Sequence, residues 1–120
     1  MGAASAWTSW PKNTTSVSEM YEVELIEEAE ADFAALDPSL RRQAEAQMRK
    51  LKHHPHAGKP LGHKAGYDLT GYRAIPFAGK RYRIVYKVDE KSKLVTVIVI
   101  ARKGGFEAYR LAAWRADEEK

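Results

Sequence analysis

Hydrophobic and polar positions change period along the chain, and each change marks an element. Tyr21, Val23 and Leu25 alternate with Glu22, Glu24 and Ile26, a period of two that predicts a strand with one buried face. The period then turns helical: Ile26, Ala29, Phe33 and Leu36 set a narrow apolar stripe opposite a run of acids. Asp37-Pro38 closes that helix and opens another. The aspartate can cap free backbone N–H groups, and proline suits a first helical position, where no donor is needed. Leu40, Ala44, Met48 and Leu51 form the second stripe, and Pro55 stops it.

From His54 to Gly66 the breakers Pro55, Gly58, Pro60, Gly62 and Gly66 predict a loop. Three strand-like runs follow, about Tyr67 to Ile75, Arg81 to Val88 and Leu94 to Arg102. The second puts Tyr82, Ile84, Tyr86 and Val88 on one face and Arg81, Arg83, Val85 and Lys87 on the other. The third is almost wholly apolar and β-branched, which suits a strand buried on both faces near the middle of a sheet. Ala78-Gly79-Lys80 and Asp89 to Lys93 are short hairpin connections. Phe106 to Ala116 reads as a short amphipathic helix through Phe106, Tyr109, Ala113 and Trp114.

The expected fold class is therefore α+β in the order β-α-α-β-β-β: an antiparallel sheet with two helices on one face and a short C-terminal helix. The opposite face is expected to stay open and to carry Arg81, Arg83 and Lys87. Residues 1–18, rich in Ser, Thr, Ala and Asn and broken by Pro11, predict a flexible extension ahead of a single domain over 19–120. Trp7 and Trp10 are the large apolar groups of that extension and could instead dock on the domain or on a partner.

Composition adds mostly exclusions. A chain of 120 residues with 44% hydrophobic and 30% charged positions is an ordinary globular one. No apolar run approaches the roughly 20 residues that span a bilayer. No basic-then-apolar leader opens the chain, so a cytoplasmic location without a membrane partner is expected. The lack of cysteine excludes disulfides, a thiol nucleophile and thiolate metal sites. His53, His54, His56 and His63 match no zinc spacing and read as exposed loop residues, so no metal and no cofactor is expected. Paired carboxylates for glycoside chemistry, a phosphate-cradling Gly-rich loop and a serine elbow are missing as well.

Charge changes the picture more. The net charge of +4 hides a segregation. Glu19 to Asp37 carries acids and no base, whereas Arg41 to Lys103 is predominantly basic. That favours an anionic partner, such as nucleic acid or an acidic peptide, although on charge alone a solvated surface of mixed charge fits equally well.

The run Tyr82-Arg83-Ile84-Val85-Tyr86-Lys87-Val88-Asp89, the apolar strand Leu94 to Ile100, then Arg102-Lys103 and Glu107-Ala108-Tyr109 resembles the RelE/ParE toxin superfamily. Leu61 to Gly71 is similar to that family's approach to its second strand, and the likeness extends over about Met20 to Trp114. It implies the toxin of a type II toxin–antitoxin pair, with a cognate antitoxin as partner. The implied activity is a ribosome-dependent, metal-independent mRNA endoribonuclease that inhibits translation; the alternatives are a DNA gyrase inhibitor on the same scaffold and a noncatalytic RNA- or protein-binding module. Cleaving RNA without a metal requires attack of the 2′-hydroxyl on phosphate, cations for the developing charge and groups that move protons. By the resemblance, Arg83, Lys103 and Tyr109 are the catalytic candidates, and Arg73, Arg81, Lys87 and Arg102 are candidates for RNA binding. Gly104, Gly105 and Phe106 stand where ribonuclease members are often more basic, which keeps the gyrase alternative open. Arg83 could also simply keep a strand face soluble, and Tyr109 could simply pack its helix.

Overall fold

A computed structural model describes residues 20–64, 66–103 and 107–118. The extension expected over residues 1–18 and the helix position Phe106 lie outside them. The elements run β1 (Glu22–Leu25), α1 (Glu27–Ala34), α2 (Pro38–His53), β2 (Lys59–Lys64), β3 (Tyr67–Phe77), β4 (Tyr82–Asp89), β5 (Leu94–Arg102) and α3 (Glu107–Glu118). They build one five-stranded sheet in the order β1-β5-β4-β3-β2. β2 to β5 form an antiparallel meander, and β1 returns to pair with β5 in parallel, Val23 opposite Val95. The α+β class and its two early helices agree with the sequence reading, with β2 as an added strand.

β2 occupies the stretch expected to be a loop. It lies at the sheet's edge and pairs only with β3, so Pro60 need supply no N–H to a second neighbour. Its register slips between Pro60 and Gly62, where Gly62 takes φ +56°, a left-handed value that glycine reaches without a Cβ penalty. The same breakers that hid the strand are thus the features that make it an edge.

The two early helices cover one sheet face. Ala29 and Leu36 of the first stripe and Ala44, Met48 and Leu51 of the second are buried against Ile75, Phe77, Ile84, Tyr86, Val95, Val97 and Ile100, with Ile26, Phe33 and Leu40 at the margin. Asp37 caps α2 as expected, its Oδ1 accepting from Leu40 N–H at 3.0 Å, and Pro38 opens the first turn. Acids crowd the first turn of α1 and bases the last turn of α2, both favourable to the helix dipoles. Arg41 reaches back so that its Nη1 donates to the carbonyls of Ala34 and Leu36 at the end of α1. One of the bases in the positive half of the chain is therefore spent on a helix terminus.

The opposite face is not left wholly open. α3 packs on it through Ala108, Ala112 and Ala116, which meet Leu61, Leu69, Val85, Ile98 and Val99. On the helix side the fully buried groups of this seam are methyls, each worth about 0.8 kcal/mol when buried, so the helix lies close to the sheet but is held lightly. Trp114, expected on the apolar stripe, faces solvent at 64% exposure, while Tyr109, Leu111 and Ala113 are partly buried. β5 serves both cores because its register shifts opposite Val85/Tyr86, so that Ile98 and Val99 in succession face α3.

β1 pairs with β5 only as far as Val97, which leaves the edge beyond it without a strand. There Asp32 of α1 accepts from Ile100 N–H at 3.1 Å, and Arg115 of α3 donates to Ile98 O at 2.8 Å. The two side chains meet each other at 2.7 Å and are only 20% and 14% exposed. An ion pair thus finishes the ladder where the strand ends.

No helix among the described residues is long and apolar enough to cross a membrane.

Candidate functional site

Arg83 lies on β4 with its partners Pro76 on β3 and Ala101 on β5, the face on which α3 sits. Alternation along β4 dictates this, since Ile84 and Tyr86 are committed to the opposite core. α3 crosses the face and presents Tyr109. Arg83 Nη1 donates to the Tyr109 hydroxyl, and the guanidinium carbon stands 4.8 Å from the centre of the ring. Partial burial lowers the Arg83 pKa from its ordinary value, yet a guanidinium keeps its proton throughout the physiological range. A charge held in a partly desolvated recess interacts more strongly with an incoming anion than one in bulk water.

Around this pair is a recess of about 420 Å³, lined by Lys59, Pro60, Leu61, Ala74, Pro76, Lys80, Lys103 and neighbouring backbone. Its charged lining is wholly cationic among the described residues, with Arg83 and three lysines and no carboxylate. Lys103 follows β5 directly, its N–H donating to Arg81 O at 2.7 Å, which continues the ladder one step and sets the lysine beside Arg83. Lys80 enters from the β3–β4 turn. There Ala78, Gly79 and Lys80 all take positive φ, at 55°, 65° and 71°.

The three catalytic candidates, Arg83, Lys103 and Tyr109, therefore share one recess. The four binding candidates do not. Arg73 pairs with Tyr86 and so belongs to the other face. Its Nη1 donates to Gly58 O at 2.8 Å and His56 O at 3.2 Å, where it holds the 56–58 loop. Arg81 is exposed, its Nε at 3.1 Å from Ala78 O, and Arg102 is exposed opposite Tyr82. Lys87 shares the face of Arg83 but lies four residues along β4, its Nζ 6.0 Å from the centre of the Tyr72 ring.

Lys59 and Lys80 are the lining cations that sequence reasoning missed. Lys59 belongs to the strand hidden by its breakers, and Lys80 to a turn whose positive-φ run carries no strong signal beyond Gly79. The loop leading to Lys59 is pinned from below. Tyr86 donates its hydroxyl to Pro55 O and accepts from Gly58 N–H, both at 2.8 Å. Burial is the main cause that pushes the Tyr86 pKa up, which keeps the phenol neutral. Of the histidines, His56 meets Glu90 at 2.6 Å and His63 lies 3.9 Å from Asp68, each with a single acid drawn from a distant or neighbouring strand end.

Chemically, the recess can hold a phosphate between a planar fork of donors and a point charge. Beside it stands a phenol whose oxygen accepts from the fork and whose proton can be donated elsewhere. Residues 23–104 match the family described as ParE toxin of type II toxin-antitoxin system, parDE. Among curated proteins there is no match. Among solved structures the chain is similar to a doubly substituted RelE toxin of E. coli in the free state, with TM-score 0.66 and 23% identity over 80% of this chain and 97% of that one. It is also similar to the toxin–antitoxin complex RelBE2 of Mycobacterium tuberculosis, with TM-score 0.58 and 23% identity over 70% of this chain and 99% of that one. A third likeness is to an archaeal RelE–RelB complex from Pyrococcus horikoshii, with TM-score 0.55 and 16% identity over 71% and 97%. At these identities the solved structures speak for the fold.

Proposed function

The chain belongs to the RelE/ParE toxin superfamily of type II toxin–antitoxin systems, and from that premise we propose that it is a metal-independent endoribonuclease acting on mRNA at the ribosome. The observation that carries this reading is the recess in which Arg83, Lys103 and Tyr109 meet among cations only. A site for a polyanion that reacts needs positive charge at the phosphate and a group that moves a proton, and these three residues supply both. Arg83 and Lys103 hold the phosphate oxygens as the 2′-hydroxyl attacks and gives its proton to water, while Tyr109 transfers its phenolic proton to the departing 5′-oxygen and regains one from solvent. Lys59 and Lys80 neutralise flanking phosphates, and Lys87 beside Tyr72 extends the track along β4. The cognate antitoxin is a partner whose acidic segment competes for the same positive surface, an association that weakens as salt rises.

A second reading has its own observation: the matching family is described by its ParE toxin, which favours a gyrase inhibitor that binds without catalysis. The test sets wild type beside Tyr109→Phe in two assays, mRNA cleavage on purified ribosomes and DNA supercoiling by gyrase. Under the first reading the wild type cuts mRNA, and loss of the hydroxyl lowers the rate by roughly 10²-fold, the scale of a missing general acid or base. Gyrase inhibition without cleavage would overturn it in favour of the second.

A further inference from the structure

α3 is fastened on two sides of a weak seam. At about 100° per residue, Ala108, Ala112 and Ala116 centre on the sheet, and Tyr109 and Arg115 stand roughly 60° to either side of that centre. On the Tyr109 side the fastening is to Arg83 on β4. On the other side Arg115 is bound to Asp32 and to Ile98 O, beyond the end of β1. The alanine methyls offer no ridge to stop the helix from rolling about its axis. The two side chains of the latch are largely enclosed, so water competes poorly for either.

We propose that Asp32 and Arg115 are positioning residues: by latching α3 to the open edge of β5 they set the roll of the helix, and with it the placement of Tyr109 against Arg83. The inference rests on the reading of Tyr109 as a group of the reactive recess. Its structural half stands without that reading. Asp32 is suited to the part because its oxygen also accepts from Ile100 N–H, so the latch is keyed to the β5 backbone as well as to a partner side chain. Neither residue lines the recess.

The experiment uses the full chain in Arg115→Gln, Asp32→Asn and the conservative Arg115→Lys. Its first readout is the NMR signal of the Arg83 Nε–H, which senses the Tyr109 ring; Tyr109→Leu supplies the reference position with no ring present. Arg115→Gln is expected to move the signal most of the way to that reference, with the amide signals of β3 and β4 unmoved, and Arg115→Lys to restore part of it. The second readout is ribosomal cleavage, where a displaced proton donor lowers kcat roughly tenfold or more and leaves KM nearly unchanged. An Arg83 signal that stays put in both Arg115→Gln and Asp32→Asn overturns the proposal. So does a general collapse of the strand signals in both, which would make the pair an element of folding. If the wild type cuts no RNA, the ribonuclease reading fails while the NMR comparison still decides the latch.

Discussion

The two faces of the sheet are made of different material. The α1–α2 face is built from Met48, Leu51, Ile84, Tyr86 and Phe77, large side chains clamped by two helices. The α3 face sets the alanines of a single helix against Leu61, Leu69, Val85, Ile98 and Val99, beside a recess of cations. Positive charges crowded together repel, and a guanidinium partly removed from water is costly, so the cationic recess contributes little to stability and leans on the other face for it. Division of labour across one sheet lets an unfavourable site persist.

The sharpest way to break this comparison is a pair of substitutions. Met48→Ala should cost about 2–5 kcal/mol by leaving a cavity, and the folded fraction should keep its activity. Arg83→Ala should lower cleavage by roughly 10²–10³-fold while shifting stability by under about 1 kcal/mol. Urea unfolding measured beside the ribosomal assay tests both. A large loss of stability in Arg83→Ala would show that the recess is structural after all.

A smaller effect tests the bridge between the faces. A Cβ at Gly58 would come within 2.6 Å of the Tyr86 hydroxyl and 2.8 Å of Ala74 O. Gly58→Ala should therefore cost about 1–3 kcal/mol, as overpacking does, and should weaken RNA binding too because the displaced loop leads into Lys59. Unfolding midpoints and RNA affinity moving together would support the bridge. Stability falling with affinity untouched would separate the loop from the recess.

The smallest effect belongs to the β4–β5 hairpin. Asp89 Oδ1 accepts from Lys91 N–H at 3.0 Å and Ser92 N–H at 3.3 Å. Hydrogen bonds from Ser92, side chain first and then backbone, hold its pKa below the usual carboxylate value. Because the folded value is the lower one, the carboxylate favours folding at neutral pH, and that part is lost as pH falls through the folded pKa. Asp89→Asn should flatten that slice of the acid dependence and leave both faces alike. Urea midpoints of the two proteins from neutral pH to about pH 3 check it. Parallel curves would remove Asp89 from the account.

What the sequence disclosed follows the same division. The clamped face was legible because Leu40, Ala44, Met48 and Leu51 are large groups at a helical period, and Ile84 and Tyr86 large groups at a period of two. The α3 face was read less well. Alanine methyls give a faint periodic signal beside Tyr109 and Trp114, so the stripe was drawn through a tryptophan that faces water. β2 was lost to Pro60 and Gly62, whose local preference for a bend is overridden by pairing along one edge. Of the site, Arg83, Lys103 and Tyr109 were named and do converge, while Lys59 and Lys80 were missed. Basic residues along a sequence look alike, and only the fold distinguishes Arg41 at a helix end, Arg73 under a loop and Arg115 on an edge from Arg83 in the recess. A charge map drawn from sequence overstates the surface offered to a partner.

The edges of the sheet bear on self-association. An exposed strand is a template on which another copy can add its own, the first step toward aggregates. One border here is four residues long and is succeeded by an ion pair that occupies the next hydrogen-bonding positions of β5. The other carries Pro60, a register slip and a left-handed Gly62 within six residues. Among the described residues, each border thus carries a feature that works against the addition of a strand from a second copy.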